Sequence, residues 1–405
     1  MGKEAMRTIR EGCLLAGAVA VLCGLIVLGQ AFNSPALAAE WRFTPSMTVE
    51  GEHSDNFFRS SENKASVWVN QFAPAVELEG LTDRSRLSVN YKMGYYMHYG
   101  TRGSLDVSDQ DYLGHNLAIF AATRPTSRLL TGIQEEYILT REPGASDTLS
   151  QIVTRDKYWR NRITPFASYD IAEKGEVKFS YRNEVLNYLE TTGGSPREDS
   201  TENRGIVTLT YNLNGTNHID LDNQFWHRDY SGGSSSYDSY QTQLVYRREL
   251  SSWLAGRVSA GYQWRTFDRN SIQDIDSPIC LIGLTGATDR TKLDLSFEYG
   301  MVDFTQGDSY FTAYRTNAFL QRLFFDEVIR AYVGGYYQLS NYQGSPREDN
   351  EWNTTVGLGY SFWHKSMELS AEYGHTQRDS NIQGFGYTEN VVYLRLTYKF
   401  DFPRK

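Results

Sequence analysis

With 40% hydrophobic and 22% charged residues over 405 positions, and no apolar run of spanning length after the N-terminal segment, this chain is not a helical membrane protein. Its 28 tyrosines, 20 phenylalanines and 34 glycines against 10 prolines suit long strands and aromatic girdles, not disorder. A formal net charge of −9 without a basic tract argues against nucleic acid as a partner.

Residues 1–38 read as a secretory signal. Lys3, Arg7 and Arg10 precede an apolar stretch from Cys13 to Gly29, and Ala36-Leu37-Ala38 offers small residues for cleavage. A retained anchor is the rival reading. Ala20-Val21-Leu22 before Cys23 is a poor lipobox. Cleavage would take the charge to about −10, because three basic and two acidic groups leave with the segment. Only Cys280 lies beyond it, so no intramolecular disulfide braces the exported chain and a closed hydrogen-bonded barrel must do so instead.

From Trp41 onward, polarity alternates in segments bounded by turn chemistry. The predicted strands are 44–53, 64–79, 84–99, 110–123, 127–142, 157–170, 176–190, 202–213, 217–230, 237–250, 253–268, 277–286, 291–304, 309–322, 326–341, 350–362, 365–378 and 388–402. Short turns alternate with longer polar loops, which places the short turns and both ends of the barrel on the periplasmic side. The expectation is an all-β fold, a transmembrane antiparallel up-and-down β-barrel of about 18 strands occupying residues 39–405. Sixteen is the alternative count, because 277–286 is short and Glu135 falls on the apolar face of 127–142.

The two faces are unlike. Leu87, Val89, Tyr91, Met93, Tyr95 and Met97 oppose Ser88, Asn90, Lys92 and His98; Leu293, Leu295, Phe297 and Tyr299 oppose Lys292, Asp294, Ser296 and Glu298. Since a basic group at mid-depth in lipid costs roughly 2–4 kcal/mol, the polar face must line a lumen and the apolar face must meet outer-membrane lipid. In the last strand Val392, Leu394, Leu396, Tyr398, Phe400 and Phe402 form the lipid face, with the final aromatics a signal for the barrel-assembly machinery. Expected lumen residues are Lys92, Arg182, Glu184, Asp220, Asp222, Arg247, Arg257, Arg265, Lys292, Asp294, Glu298, Arg330, Glu368, Glu372, Arg395 and Lys399. Both signs are present, which predicts no single-sign ion filter. Tyr96, Trp226, Tyr332, Tyr336 and Tyr393 fall on the same side and are candidate saccharide contacts; a one-residue slip would return them to the lipid girdle.

Gly194-Ser195-Pro196-Arg197-Glu198-Asp199 recurs as Gly344-Ser345-Pro346-Arg347-Glu348-Asp349, eight strands away. Ordinary turn chemistry explains it, and a pair of rim contacts for a polymer or second subunit is the other reading. No catalytic site is expected. His227 with Asp229 and His375 with Asp379 lie near outer strand ends, but sequence proximity is not a triad. Asp220-x-Asp222 and Asp274-x-Asp276 lack the further ligands of a calcium loop, the seven histidines show no zinc spacing, and no Cys-x-x-Cys-His is present for haem. No metal or cofactor is assigned.

Ser54-Asp55-Asn56-Phe57-Phe58-Arg59, Phe72-Ala73-Pro74-Ala75-Val76-Glu77-Leu78, Arg84-Ser85-Arg86-Leu87-Ser88-Val89-Asn90-Tyr91 and Asp111-Tyr112-Leu113-Gly114-His115-Asn116-Leu117 follow one another in the N-terminal third. Together they resemble the β-barrel porin family found beside exopolysaccharide biosynthesis and export genes in Gram-negative bacteria. The resemblance is sharp over about residues 44–142 and general elsewhere. It implies an outer-membrane conduit associated with polysaccharide or with envelope export proteins. A barrel plugged by its own loops, or by a partner such as a cytochrome, is the alternative.

Overall fold

The computed structural model describes residues 40–102, 105–141, 155–190, 198–269, 272–303 and 310–400; residues 1–38, which the sequence reads as a secretory signal, lie outside them. Its strands are β1 (Glu40–Ser54), β2 (Val67–Leu81), β3 (Ser85–Arg102), β4 (Leu105–Asp106), β5 (Tyr112–Thr123), β6 (Leu129–Thr140), β7 (Lys157–Ala172), β8 (Gly175–Glu190), β9 (Ser200–Asn214) and β10 (Asn217–Tyr230). They continue as β11 (Tyr237–Glu249), β12 (Leu254–Phe267), β13 (Ile275–Ala287), β14 (Thr291–Asp303), β15 (Tyr310–Phe324), β16 (Ile329–Tyr342), β17 (Glu348–Phe362), β18 (Met367–Ser380) and β19 (Tyr387–Lys399). β4 only extends the tip of β3. The other 18 form one antiparallel ring in chain order, with β3 bonded directly to β5.

The count is therefore 18. The segment 277–286 extends to 275–287 and pairs on both sides, and β6 does so too. Glu135 stays on the outward face, opposite Ile119 and Ile163. The ring closes between β1 and β19, from Ser46↔Lys399 to Ser54↔Val391, so no sheet edge is left to meet lipid. Two prolines interrupt the ladders: no β2–β3 partner is recorded at Pro74 and no β7–β8 partner at Pro165, where the ring nitrogen has no proton to donate.

Hydrophobic residues at one strand parity form an exposed outer surface. Across the closing seam Val49 lies beside Leu396, and Leu396 beside Leu369. Val49, Leu369 and Leu396 are all exposed, as suits side chains whose solvent is lipid. Short turns at residues 82–84, 124–128, 173–174, 215–216, 250–253, 288–290, 325–328 and 363–366 mark the periplasmic end. The turns at 325–328 and 363–366 each hold three consecutive non-glycine residues at positive φ, including Phe325 at 51° and Trp363 at 48°. Lys365 Nζ ties the two together by donating to Glu327 Oε2 over 2.8 Å, which holds the Glu327 carboxyl below its ordinary range.

Candidate functional site: the lumen and its outer mouth

All sixteen charged residues expected in the lumen sit at inward register positions, as do the five aromatics. Their surroundings divide the wall into two zones. Near the periplasmic end Lys92, Arg247, Arg257, Lys292, Asp294 and Lys399 are exposed to the interior. Arg247 reaches Asp220 at 2.7 Å, and Asp220 and Asp222 also accept from the hydroxyls of Thr210 and Thr208. These bonds engage both aspartates.

Towards the outer end the inward residues are buried, because connecting loops turn back into the mouth. Phe57, 1% exposed, packs against Val67 and Val69 on the inner wall and against Ala65 and Val107 in the connections. The Arg155 guanidinium covers its ring at 3.6 Å and donates to its carbonyl at 2.8 Å. Arg155 also lies 3.9 Å from Glu52 and 3.8 Å from Glu389, two carboxylates on facing strands of the seam. Arg59 donates to Glu389 at 2.8 Å. Burial works against the Arg59 charge, but Tyr387 and Glu389 beside it reverse the effect and hold its pKa well above the ordinary value.

The motif 54–59 thus has a structural role. Ser54 Oγ donates to Glu389 at 2.8 Å, Asn56 Nδ2 to the Thr388 carbonyl at 2.9 Å, and Asn390 Nδ2 to Asp55 at 2.6 Å. It locks the first strand to the last across the closing seam. Further along the mouth Arg378 binds Glu351 at 2.5 Å, with Tyr336 and Tyr387 donating to the same carboxylate at 2.5 and 3.1 Å. Arg347 pairs with Asp349 and lies over the Tyr342 and Phe385 rings at 4.2 and 3.9 Å.

The two copies of the hexapeptide repeat differ in their contacts. In the second, Arg347 and Asp349 bind one another. Of the first, residues 194–197 lie outside the described residues; its Glu198 accepts from the Gly233 and Ser234 amides and its Asp199 from the Tyr188 amide at 2.8 Å. Burial raises the Asp199 carboxyl above its usual range, and the Tyr188 amide offsets part of that.

The inward aromatics are not equally available. Trp226 is 3% exposed with the Arg204 guanidinium 4.1 Å from its ring centre. Tyr96 stacks on Tyr112 at 4.4 Å, and Arg315 covers Tyr336 at 3.9 Å. Tyr332 and Tyr393 are half-buried, and the Tyr332 hydroxyl donates to Glu372. Gly357 permits this, since a Cβ there would lie 2.1 Å from the Tyr332 ring. Glu52, Arg59, Arg155, Glu202, Arg204, Arg228, Glu351, Arg378 and Glu389 are not among the charged residues expected in the lumen from sequence. The strand members among them share the phase of their inward neighbours; Arg59 and Arg155 lie in connections, where alternation carries no signal.

The two histidine pairs have different surroundings. His227 is on the outward face with Asp229 at 3.0 Å and Asp238 at 2.8 Å, so both ring nitrogens are taken by carboxylates. His375 shares a 2.7 Å hydrogen bond with Asn390, while Asp379 accepts from Gln377; that pair is not brought together.

A closed 18-strand ring with an apolar exterior and a charged interior defines an outer-membrane barrel of the porin type. The chain belongs to the family described as "Putative beta-barrel porin 2", whose model matches residues 198–400. The match lies C-terminal to the stretch in which the sequence motifs resemble that family most sharply. Among solved structures, OccK2 (OpdF) of Pseudomonas aeruginosa is similar at TM-score 0.51 and 12% identity, over 89% of this chain and 98% of that one. OccAB4 of Acinetobacter baumannii gives 0.48 and 12% over 91% and 100%. No protein of curated function matches the sequence. Porins are channels rather than enzymes, and the outer membrane is their location.

Proposed function

We propose that the barrel is a conduit for hydroxyl-rich, charged saccharide chains at the surface of a Gram-negative cell, linked to exopolysaccharide export, with residues 1–38 removed on secretion. The observation that carries this is one stretch of inner wall, from β16 to β1. Tyr393 and Tyr332 lie there with Glu372 between them in the register, beside the Arg330–Glu368 and Arg395–Glu50 pairs. Aromatic faces next to hydrogen-bonding groups of both signs suit the apolar and hydroxyl faces of a sugar ring. The mixed charge lets a polyelectrolyte slide without being trapped. Trp226 is covered by Arg204, so Tyr332 and Tyr393 carry the saccharide contacts in this reading.

The infolded Phe57 and its Arg155 cover favour a second reading, a barrel that its own loops hold shut until a partner engages. Single-channel recording of the purified protein in planar bilayers separates them. A steady current blocked by saccharide supports the conduit, with block weakened by Tyr332→Ala. No current from a folded, inserted barrel overturns the open conduit and directs attention to the mouth.

A further inference from the structure

We infer that the lumen wall between β7 and β10 holds an oxyanion-binding subsite centred on Arg182. In the strand register Arg182 lies directly opposite Arg204, a like-charge pairing that a sheet ordinarily avoids. The carboxylates nearby are committed elsewhere. Glu184 binds Arg162 at 2.5 Å, Glu202 binds Arg228 at 2.6 Å and Arg204 at 2.8 Å, and Glu136 lies 3.7 Å from Arg160. Among the described residues five guanidinium groups thus share three carboxylates, and Arg182 is the one with no ion pair or hydrogen bond there.

Two further features make this a built site. Arg182 Nε is shut off from solvent without an acceptor, and on the same wall Arg160, 5% exposed, has Nε and Nη1 in the same condition. Arg204 is held in place by Glu202 at Nε, by Gln224 at Nη1 and by the Trp226 ring beneath it. The contrast is Arg247 opposite Arg257: those two are exposed, and Arg247 has Asp220 as a partner. Water screens that pair, whereas Arg204 is already neutralised by Glu202 and the half-buried Arg182 opposite it has no counter-ion in ion-pair reach, which leaves room for an anion from outside the chain.

A guanidinium presents paired donors that fit a carboxylate, sulfate or phosphate. The ligand class is therefore an oxyanion, and the carboxylate of an acidic sugar residue and a free inorganic anion share that chemistry. The subsite deepens the conduit reading by giving an acidic saccharide a fixed station on the wall.

The test is isothermal titration calorimetry on the full-length protein in detergent, with trigalacturonate, inorganic phosphate and the neutral maltotriose as probes. Wild type, Arg182→Gln and Arg182→Lys are compared, with heat-modifiable gel mobility and melting temperature reporting the folded state. The expected result is binding of trigalacturonate weakened at least about tenfold by Arg182→Gln and less by Arg182→Lys, with no binding of maltotriose. Binding of phosphate alone would assign the site to inorganic anions and remove its link to saccharide. Because Arg182 opposes Arg204, Arg182→Gln should melt no lower than wild type; a structural arginine would give a loss. Should that variant not fold, Arg182→Lys decides, and unchanged affinity in it would overturn the proposal. No binding of either anion to wild type would do the same. Current in bilayers without calorimetric binding removes the subsite and leaves the conduit, and binding without current does the reverse.

Discussion

The outer and periplasmic halves of the same inner wall carry the same residue types under opposite conditions. At the periplasmic end Arg247 is roughly half exposed and its contact with Asp220 competes with water. At the outer end Arg378 and Glu351 are 4% and 7% exposed; they bind one another, with Tyr336 and Tyr387 donating to the carboxylate and Asp349 4.0 Å from the guanidinium. The difference is the infolding of the mouth: buried charges must find partners, whereas wet ones need none. Pairing is therefore structural at the mouth and incidental below it.

The largest way to break this comparison is Arg378→Met, which strands the Glu351 carboxylate. We expect a loss of roughly 3–5 kcal/mol in the unfolding free energy of the refolded barrel, measured by urea titration. Adding Glu351→Met should restore much of it, and a double variant no better than the single one would mean that the pair is not the cause. Next in size is Leu394→Arg on the lipid face, for which roughly 2–4 kcal/mol is expected if Leu394 lies near the bilayer midplane. A negligible cost would place this side in contact with protein instead of lipid.

Arg155→Ala removes the cover from Phe57 and leaves Glu52 and Glu389 without that partner. Single-channel conductance should rise, with more frequent gating, while a current identical to wild type would show that this loop does not limit flow. The smallest effect is expected for Arg247→Gln, within about 1 kcal/mol of wild type, as for an exposed ion pair. A loss as large as that of Arg378→Met would erase the division between the two halves.

The family motif shows why much of the site was hidden in the sequence. Asp55, Asn56 and Arg59 stand in a loop with no periodicity, and their partners Asn390, Thr388 and Glu389 lie more than 325 residues away. Nothing local marks the contact. Arg204 and Glu202, by contrast, share the phase of Trp226 and Arg182, so their inward direction was legible even though the unequal pairing among the arginines was not.

What the sequence determined by itself is the side of the wall on which each strand residue stands, because a strand places successive side chains on opposite faces and lipid rejects charge on one of them. The lipid-facing aromatics follow from that rule, while the choice between 16 and 18 strands was made only by the ring, in which β6 and β13 pair on both sides. Tertiary structure alone decided which inward charges meet. Partners are set by inter-strand register and by loops that fold back into the mouth, and both join residues distant along the chain. The single-chain pattern says that Arg182 points inward; only the ring places Arg204 opposite it and commits the neighbouring carboxylates elsewhere.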